Sequence, residues 1–367
     1  MAFAGGSHGG SHGGSHGGSH GGSHGGSHGG SYGGGRGDEH VGGPTSPLLS
    51  AALAVTHDAT IGYWKPDPDM ATPPAPDNLD TLEYLSEERR SQVLNGTICS
   101  RFRVQRNSDQ SGAVLFLDND PICKLTKPAP KVLKEQLIWV RNYSDLRTDR
   151  IPEIIVQTSD IQSFFGALTP LNMWRRRRTM MLLSLVQSLA IQIEMQLKHY
   201  CWSPRPANFA PEVQPIIQTP DHSTFPSGHA TEAHALATVL HRLQEGESAA
   251  DAMAQPNPPM PFRIAHRIAV NRTVAGVHFP VDSAAGAVLG CVIGEAVHSI
   301  ATNGPGLGLD YGPSGVSLDA KEDFTLAWMA ANLADVKQCS AKVKDESPLF
   351  EVFWQAAQDE WTKGAGQ

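Results

Sequence analysis

Residues 221–245 read DHSTFPSGHATEAHALATVLHRLQE, a short polar turn that runs into an Ala-rich helix. Pro226 stands near the start of that helix, Ser227 at its N-cap position, and Gly228 where the backbone can be approached closely. Proline suits the first turn of a helix, and serine is a preferred N-cap residue. The free N–H groups and the dipole of such a helix start favour anions. The stretch therefore predicts an anion site at a helix N-terminus, with His229 beside it.

A second segment, 198–206, reads KHYCWSPRP. A helix end delivers Lys198 here, and a turn restricted by two prolines delivers Arg205. Either residue alone is an ordinary solvated cation. Their place just before the 221–245 stretch makes both candidates for the same anion site.

A third segment, 272–282, reads RTVAGVHFPVD and begins with Arg272. The glycine and the proline within it break the helix, so we expect His278 to lie in the joint between two helices. Asp282 then falls in the first turn of the second helix.

Together, the three segments supply three cations, a hydroxyl, a glycine N–H and two histidines. This set describes a pocket for a tetrahedral oxyanion with multiple negative charge, because arginine pairs with two oxygens and lysine supplies a movable point charge. Burying such cations without an anion would cost several kcal/mol each. One histidine would act as ligand or nucleophile and the other as acid or base, since imidazole changes protonation near neutral pH.

Hydrophobic periodicity predicts a mainly α-helical protein, arranged as a helical bundle. A change of period near 101–118 predicts one small β-hairpin. Residues 38–367 are expected to form a single domain, with the oxyanion-site core at about 180–300. The predicted helices are 47–60, 78–95, 132–142, 152–165, 171–199, 227–245, 263–275, 280–301, 318–338 and 348–363.

The first 37 residues repeat GGSH and carry almost no apolar side chain. Such a stretch cannot repay its ordering entropy, and we expect it to be disordered. It is either a natural metal-binding tract or, as the perfect repeat favours, an affinity tag with its linker.

Composition excludes several classes of protein. With 29 Lys+Arg against 37 Asp+Glu, the net charge of −8 argues against a nucleic-acid partner. The five cysteines are widely spaced and show no zinc-site pattern, so neither a disulfide framework nor a zinc site is expected. No signal peptide follows Met1, and polar residues interrupt the longest apolar stretch, 180–197. That stretch predicts a buried helix of a soluble protein with no membrane span.

Three regular patterns have structural interpretations. Four consecutive arginines, 175–178, point in different directions on a helix, which favours ion pairs at the surface or at a subunit contact over nucleic-acid binding. His234 and His241 share a helix face and are expected to be structural or solvated. Glycines at 286, 290 and 294 predict that a neighbouring helix approaches closely.

The motifs K-x6-R-P, P-S-G-H and R-x5-H, in this order, resemble the signature shared by vanadium-dependent haloperoxidases and the type 2 phosphatidic acid phosphatase superfamily. The resemblance covers about 180–300 and implies a helical bundle of that type. It implies that His278 is the axial ligand of vanadium, or the phosphohistidine nucleophile of a phosphatase, and that His229 is the acid/base. Asp282 would hold the tautomer of His278. The residues implied to bind the equatorial oxygens are Lys198, Arg205, Ser227, Gly228 and Arg272.

Within this resemblance, two features favour a haloperoxidase. About 160 residues precede the first motif, more than a small phosphatase needs, and His222 stands where algal bromoperoxidases have a second histidine. The expected function is oxidation of bromide or iodide by hydrogen peroxide to hypohalous acid, which halogenates small organic acceptors. The implied cofactor is vanadate, with no haem or flavin, and Lys198 would polarise the bound peroxide. Asn271 departs from the serine that many relatives have before the arginine.

Two alternatives stay open at this point. A soluble acid phosphatase would use the same pocket for a phosphomonoester, with His278 attacking phosphorus and His229 protonating the leaving alcohol. A helical scaffold that only binds an oxyanion would not need both histidines. The oligomeric state is not defined by the sequence, and a homo-oligomer is compatible with it.

Overall fold

The structure is a computed structural model that describes residues 39–40, 43–44, 47–62, 75–342 and 348–362. The GGSH repeat lies outside these residues. As the periodicity predicts, the described chain is mainly helical with small antiparallel sheets. The helices are α1 Pro47–Thr60, α2 Leu79–Tyr84, α3 Glu87–Cys99, α4 Pro130–Tyr143, α5 Arg147–Val156, α6 Gln162–Gly166, α7 Arg177–Tyr200, α8 Pro206–Phe209, α9 Gly228–Glu245, α10 Ala249–Ala254, α11 Met260–Val274, α12 Pro280–Thr302, α13 Leu326–Leu333 and α14 Leu349–Thr362. The strands are β1 Glu39–His40, β2 Gly43–Pro44, β3 Phe102–Arg106, β4 Gly112–Leu117, β5 Asp120–Thr126, β6 Pro305–Gly308 and β7 Lys337–Lys342.

Helices α9 and α12 form the centre of the core, and three glycines of α12 allow their close approach. A Cβ at Gly286 would lie 2.6 Å from the carbonyl oxygen of Ser227, and one at Gly290 would lie 2.3 Å from that of Thr231. At Gly294, an added Cβ would lie 2.6 Å from the Thr238 Cβ. The prediction of a closely packed neighbouring helix is confirmed, and the contact brings the first turns of α9 and α12 together.

Helices α7 and α11 pack on either flank of α9. The last turn of α7 meets the first turn of α9, because Lys198 donates a hydrogen bond to the carbonyl of Pro226. Gln187, earlier in α7, donates to Glu232, later in α9. The two helices are therefore antiparallel, and the end of α7 delivers its lysine to the start of α9.

The predicted hairpin is confirmed, and a third strand extends it. β3 pairs with β4 as expected, and β4 pairs with β5 in an antiparallel sheet of order β3-β4-β5. The turn between β4 and β5 contains Asp118 at φ 53°, and its carboxylate accepts two hydrogen bonds from Arg101. A single non-glycine residue in the left-handed region gives almost no sequence signal, which is why the third strand was missed.

Four predicted helices differ from the structure. The predicted helix 78–95 is divided into α2 and α3, because Leu85 has an extended backbone and the Ser86 side chain accepts from the Arg89 amide as the N-cap of α3. The predicted helix 318–338 is reduced to α13, and β7 follows it because these residues pair with β6. The predicted helix 152–165 is divided into α5 and α6. The helix predicted from 171 begins only at Arg177, because the Asn172 side chain accepts from the amides of Trp174 and Arg175 in a separate turn.

The arginine run therefore lies partly outside the helix. The guanidinium of Arg178 pairs with Glu83, and that of Arg176 lies 4.1 Å from the ring centroid of Trp361. These contacts agree with the expectation that the run serves local pairing.

Two helices are long and apolar enough to cross a membrane, namely α7 and α12. In α12, 94% of the most apolar window is buried inside the fold, and in α7 the share is 61%. Burial in the core accounts for the apolar composition of α12.

The described cysteine side chains are free thiols, at Cys99, Cys123, Cys201 and Cys291. The side chain of Cys339 lies outside the described residues. No disulfide joins the described side chains, in agreement with the sequence.

The close contact of α9 and α12 can be tested by adding one methyl group. We expect Gly290→Ala to lower the free energy of unfolding by about 2 kcal/mol, because the new Cβ overpacks the contact. Gly96→Ala is the matched control, since Gly96 is an exposed helical glycine with nothing within 4 Å of an added Cβ. Alanine at position 96 should raise the free energy of unfolding by about 1 kcal/mol, because alanine has a higher helix propensity than glycine. Urea unfolding followed by circular dichroism measures both, and a Gly290→Ala protein as stable as wild type would contradict the contact.

Candidate active site

The start of α9 leaves its polar groups available for a ligand. Ser227 is the N-cap residue with an extended backbone, yet its side chain caps no amide of the helix. Its buried Oγ has no hydrogen-bond partner among the described residues. The first amides of a helix, here those of Gly228 and His229, lack an intrahelical acceptor. A buried hydroxyl and free amides at one point require an acceptor oxygen from outside the fold.

Lys198 is held against the turn that precedes Ser227. Its Nζ donates to the carbonyls of Ser223, at 3.3 Å, and Pro226. The side chain is only 1% exposed, and burial lowers the pKa of Lys198 to about 8. The end of α7 thus places a desolvated ammonium group beside the start of α9.

Arg205 binds the loops on both sides of the site. Its Nη1 donates to the carbonyl of Val277 at 2.8 Å, and its Nη2 donates to the carbonyls of His222 and Ser223 at 3.2 and 3.3 Å. The same Nη1 lies 3.2 Å from Nε2 of His278. Burial lowers the pKa of Arg205 to about 10. The guanidinium is thereby fixed next to the imidazole.

The guanidinium of Arg272 has two buried N–H donors without an acceptor among the described residues. Its Nη2 donates to the Ile154 carbonyl at 3.2 Å and to Oε1 of Gln157 at 2.9 Å. Its Nε and Nη1 are buried and find no acceptor in the described part of the chain. Burial lowers the pKa of Arg272 to about 9. Two N–H groups of a buried cation are therefore available to bind one anion.

His278 is oriented by Asp282 and Thr224, in the joint that the sequence predicted. Its Nδ1 lies 3.3 Å from Asp282 Oδ2 and 3.2 Å from Thr224 Oγ1. The Thr224 hydroxyl and the Phe279 amide donate to the same carboxylate oxygen, at 2.6 and 2.8 Å. These contacts favour the tautomer with hydrogen on Nδ1, which leaves the Nε2 lone pair facing Arg205.

The pKa values of the two titratable groups at this joint, Asp282 and His278, are strongly shifted. Burial raises the pKa of Asp282 to about 6. Burial and the positive charges of Arg205 and Lys198 hold the pKa of His278 well below its usual value. The imidazole is therefore neutral at neutral pH, the form in which its nitrogen is a nucleophile or a metal ligand.

His229 contacts a residue that the sequence did not single out. Its Nε2 lies 2.8 Å from the carbonyl oxygen of Gln157, whose side chain also binds Arg272. Burial and the charge of Arg272 hold the pKa of His229 well below its usual value. Asn271 reinforces the link by donating to Oε1 of Gln157 at 3.1 Å. Gln157 was missed because a glutamine inside the predicted helix 152–165 carries no motif. Thr224 was missed because a threonine in the turn before the Ser-Gly-His motif has no signature of its own.

His222 also lies at the site. Its Nδ1 is 3.2 Å from Nη2 of Arg205, and its buried Nε2 has no partner within the described ranges. Burial and the charges of Lys198 and Arg205 lower the pKa of His222 to about 3. The histidine is therefore neutral and presents one nitrogen that can accept or donate.

The remaining histidines of α9 lie in the core. His234 bonds through Nδ1 to the Ala230 carbonyl at 2.7 Å and packs edge-on against Phe324, and His241 packs against Phe262. No group of three or more His, Cys, Asp or Glu in the described residues is arranged to hold a metal ion.

Comparison with known proteins places the three motifs within one family segment. Residues 179–304 match the PAP2 superfamily. A decaprenylphosphoryl-5-phosphoribose phosphatase, recorded from two strains of Mycobacterium tuberculosis, is 29% identical over 126 residues, which cover 34% of this chain. The chain spans 63% of the length of these curated relatives.

Among solved structures, the first transmembrane PAP2-type phosphatidylglycerolphosphate phosphatase, from Bacillus subtilis, is 20% identical. It overlaps 46% of this chain and 75% of its own, with a TM-score of 0.24. All residues of the three motifs fall inside 179–304. Residues 179–304 of this chain are therefore similar to the PAP2 superfamily.

Proposed function

We propose that this chain is a phosphatase that hydrolyses phosphate monoesters through a phosphohistidine at His278. The observation that carries the proposal is the set of buried donors that lack an acceptor in the described structure: the Ser227 hydroxyl and the Nε and Nη1 groups of Arg272. These donors accompany a histidine whose Nδ1 is held by a carboxylate. An oxyanion would satisfy the donors, and the oriented imidazole supplies a nucleophile.

The relatives support this interpretation over the haloperoxidase. The two curated relatives are named as phosphatases, and neither name describes an oxidoreductase. The phosphatase alternative is therefore preferred to halide oxidation as the proposed activity.

Substrate binding uses the cations and the helix start together. The phosphoryl oxygens accept hydrogen bonds from Lys198, Arg205 and Arg272, from the Ser227 hydroxyl and from the amide of Gly228. A dianion also removes the cost of three buried positive charges that lie close together. The same contacts stabilise the charge of the equatorial oxygens in the transition state.

In the first chemical step, Nε2 of His278 attacks phosphorus, and the bond from phosphorus to the ester oxygen breaks. The imidazole becomes positively charged, and Asp282 stabilises it through the hydrogen on Nδ1. His229 gives a proton to the departing alkoxide. The positive charge of Arg272 lowers the pKa of His229 in the free protein. The negative charge of the bound substrate offsets that positive charge, so the pKa of His229 rises when substrate binds.

In the second step, His229 accepts a proton from water, which attacks phosphorus. The bond between phosphorus and Nε2 breaks, and inorganic phosphate leaves. His278 returns to its neutral form, with Nδ1 still held by Asp282, so both residues are ready for another cycle.

Mutation of the two histidines separates their roles. We expect His278→Ala to lose at least about a thousandfold in kcat for p-nitrophenyl phosphate and to form no acid-labile phosphoenzyme. We expect His229→Ala to lose about a hundredfold with phenyl phosphate, but clearly less with p-nitrophenyl phosphate, whose alcohol needs no proton to leave. Rapid-quench kinetics and radioactive phosphate trapping measure both effects.

His199→Ala is the matched control for these variants, because His199 is exposed and adjacent to Lys198 in sequence. It should keep wild-type kcat. A phosphoenzyme that persists in His278→Ala would exclude His278 as the nucleophile. Equal losses of His229→Ala on both esters would exclude its role as the acid.

A second candidate function is vanadate-dependent halide oxidation, and His222 is the observation that favours it. This histidine lies against Arg205 with Nε2 free of partners in the described structure, at the position where the resemblance implies a second histidine in bromoperoxidases. Vanadate is a tetrahedral oxyanion, so the donors left unsatisfied at Ser227 and Arg272 suit its oxygens as well as those of phosphate.

In that case Lys198, Arg205, Ser227, Gly228 and Arg272 would hold the oxygens of vanadate, and Nε2 of His278 would be its one protein ligand. Bound vanadate would supply Lewis-acid activation of hydrogen peroxide. His229 would accept the proton that peroxide releases, and Lys198 would lie close enough to the oxyanion to polarise it.

Orthovanadate distinguishes the two functions. For a phosphatase, we expect it to inhibit ester hydrolysis competitively without conferring bromination by bromide and peroxide. Vanadate-dependent bromination without ester hydrolysis would reverse the order of the two proposals.

In either case His278→Ala should release vanadate on gel filtration while His229→Ala retains it, and equal retention in wild type and His278→Ala would exclude the proposed ligand. If bromination occurs, an unchanged bromide-to-iodide ratio in His222→Ala would refute a role for that histidine in halide choice.

A further inference from the structure

Two buried carboxyl groups lie about one helical turn below the site. Glu194 precedes Lys198 by one turn of α7, and Glu232 follows His229 by nearly one turn of α9. Both glutamates are fully buried. Because α7 and α9 are antiparallel and meet at Pro226, these two positions lie on the same, inner side of the oxyanion site.

Glu194 lacks the hydrogen bonds that a buried carboxylate normally requires. Neither of its oxygens has a partner in the part of the chain that the structure describes. Burial and the negative charge of Glu232 raise the pKa of Glu194 well above its usual value, while the charge of Lys198 acts in the opposite direction. The protonation state of Glu194 thus depends on the charge just above it.

The second carboxyl group, that of Glu232, interacts electrostatically with two cations of the site. Its Oε2 accepts a hydrogen bond from Nε2 of Gln187 at 2.7 Å. Its negative charge raises the pKa values of both Lys198 and Arg272. The two glutamates therefore supply counter-charge to the same cations that would bind a phosphoryl group.

We propose that Glu194 and Glu232 form a buried acidic pair that takes up a proton from solvent when a dianion enters the site above it. The inference rests on the proposed function only in so far as the cations bind an oxyanion. Without an anion, the pair balances the positive charge of Lys198 and Arg272. A bound dianion balances that charge itself and repels a second negative charge beneath it, so one carboxylate gains a proton.

Other groups at the site respond to the same charge. Glu295 of α12 is paired with Arg242, and Glu360 of α14 accepts from the amides at the first turn of α7, away from the oxyanion site. The total proton uptake is therefore shared, and the difference between wild type and a glutamine variant isolates the pair. The charged and titratable groups around the oxyanion are Lys198, Arg205, His222, His229, Arg272, His278 and Asp282.

Sulfate is the probe of choice, because it remains a dianion over the whole range from about pH 5 to about pH 9 and no enzyme turnover is needed. Titration calorimetry in two buffers of different ionisation enthalpy counts the protons taken up with it. In wild type we expect proton uptake and an affinity that rises as the pH falls. The sign follows from the raised pKa of the pair in the bound state.

Glu194→Gln replaces the carboxyl with a neutral group of the same shape. We expect it to take up fewer protons and, near pH 7, where Lys198 with its pKa of about 8 is still mostly charged, to bind sulfate about tenfold more tightly than wild type, since the site has lost a negative charge. Near pH 5 the two affinities should converge. A purely structural role would instead weaken sulfate binding at every pH.

Glu232→Gln is the second variant, because Gln187 can still pair with the new amide, and it should show the same changes. Glu295→Gln is the matched control, a fully buried glutamate of α12 paired with Arg242, and should keep wild-type proton uptake. Wild-type uptake in both Glu194→Gln and Glu232→Gln would overturn the proposal. Absence of sulfate binding in wild type would overturn the oxyanion site itself, whereas normal sulfate linkage without phosphatase activity would overturn only the proposed function.

Discussion

The hydrogen bond from the backbone amide of Ser227 to the carbonyl of Asp282, at 2.9 Å, joins the first turns of α9 and α12. This contact is possible because glycine at 286 lets the two backbones meet where a side chain would collide. One turn carries the serine and the free amides, and the other carries the carboxylate that orients His278. The donors proposed to bind an oxyanion and the proposed nucleophile, His278, therefore depend on one backbone contact, and neither could shift without the other.

Around that contact the protein keeps positive charges in an environment that disfavours them. Burial lowers the pKa values of Lys198, Arg205 and Arg272. The carbonyl oxygens of nearby loops satisfy part of each cation but carry no full negative charge. The carboxyl groups of Asp282, Glu194 and Glu232 supply part of the counter-charge. The proposed dianionic ligand would supply the rest, and the same cations lower the pKa values of His229 and His278. In the proposed function, binding and acid–base chemistry are thus two results of a single electrostatic arrangement.

The motif-bearing part of the fold was largely predictable from sequence. Helix start signals placed Ser227 and Asp282 correctly, and the Gly276 and Pro280 breaks placed His278 in a joint, where Gly276 indeed has φ 83°. Less local features escaped prediction. β7 exists because it pairs with β6, a contact between distant residues, and 318–338 alone resembles a helix. Gln157 and Thr224 make their contacts with residues distant in sequence, and residue type alone does not predict such contacts. The choice between phosphate and halide chemistry was also not readable from motifs that both families share.

The double contact of Gln157 extends the functional unit beyond the family segment. Its carbonyl holds His229 and its amide oxygen holds Arg272, yet it lies in the chain before residue 179, together with Ile154. An excised fragment of 179–304 would keep all three motifs and lose the acceptors that fix two of their residues. The smallest portion of this chain with an organised site therefore includes α5 and its C-cap residue Gln157, and variation there offers a way to retune the proposed acid/base without touching any signature residue.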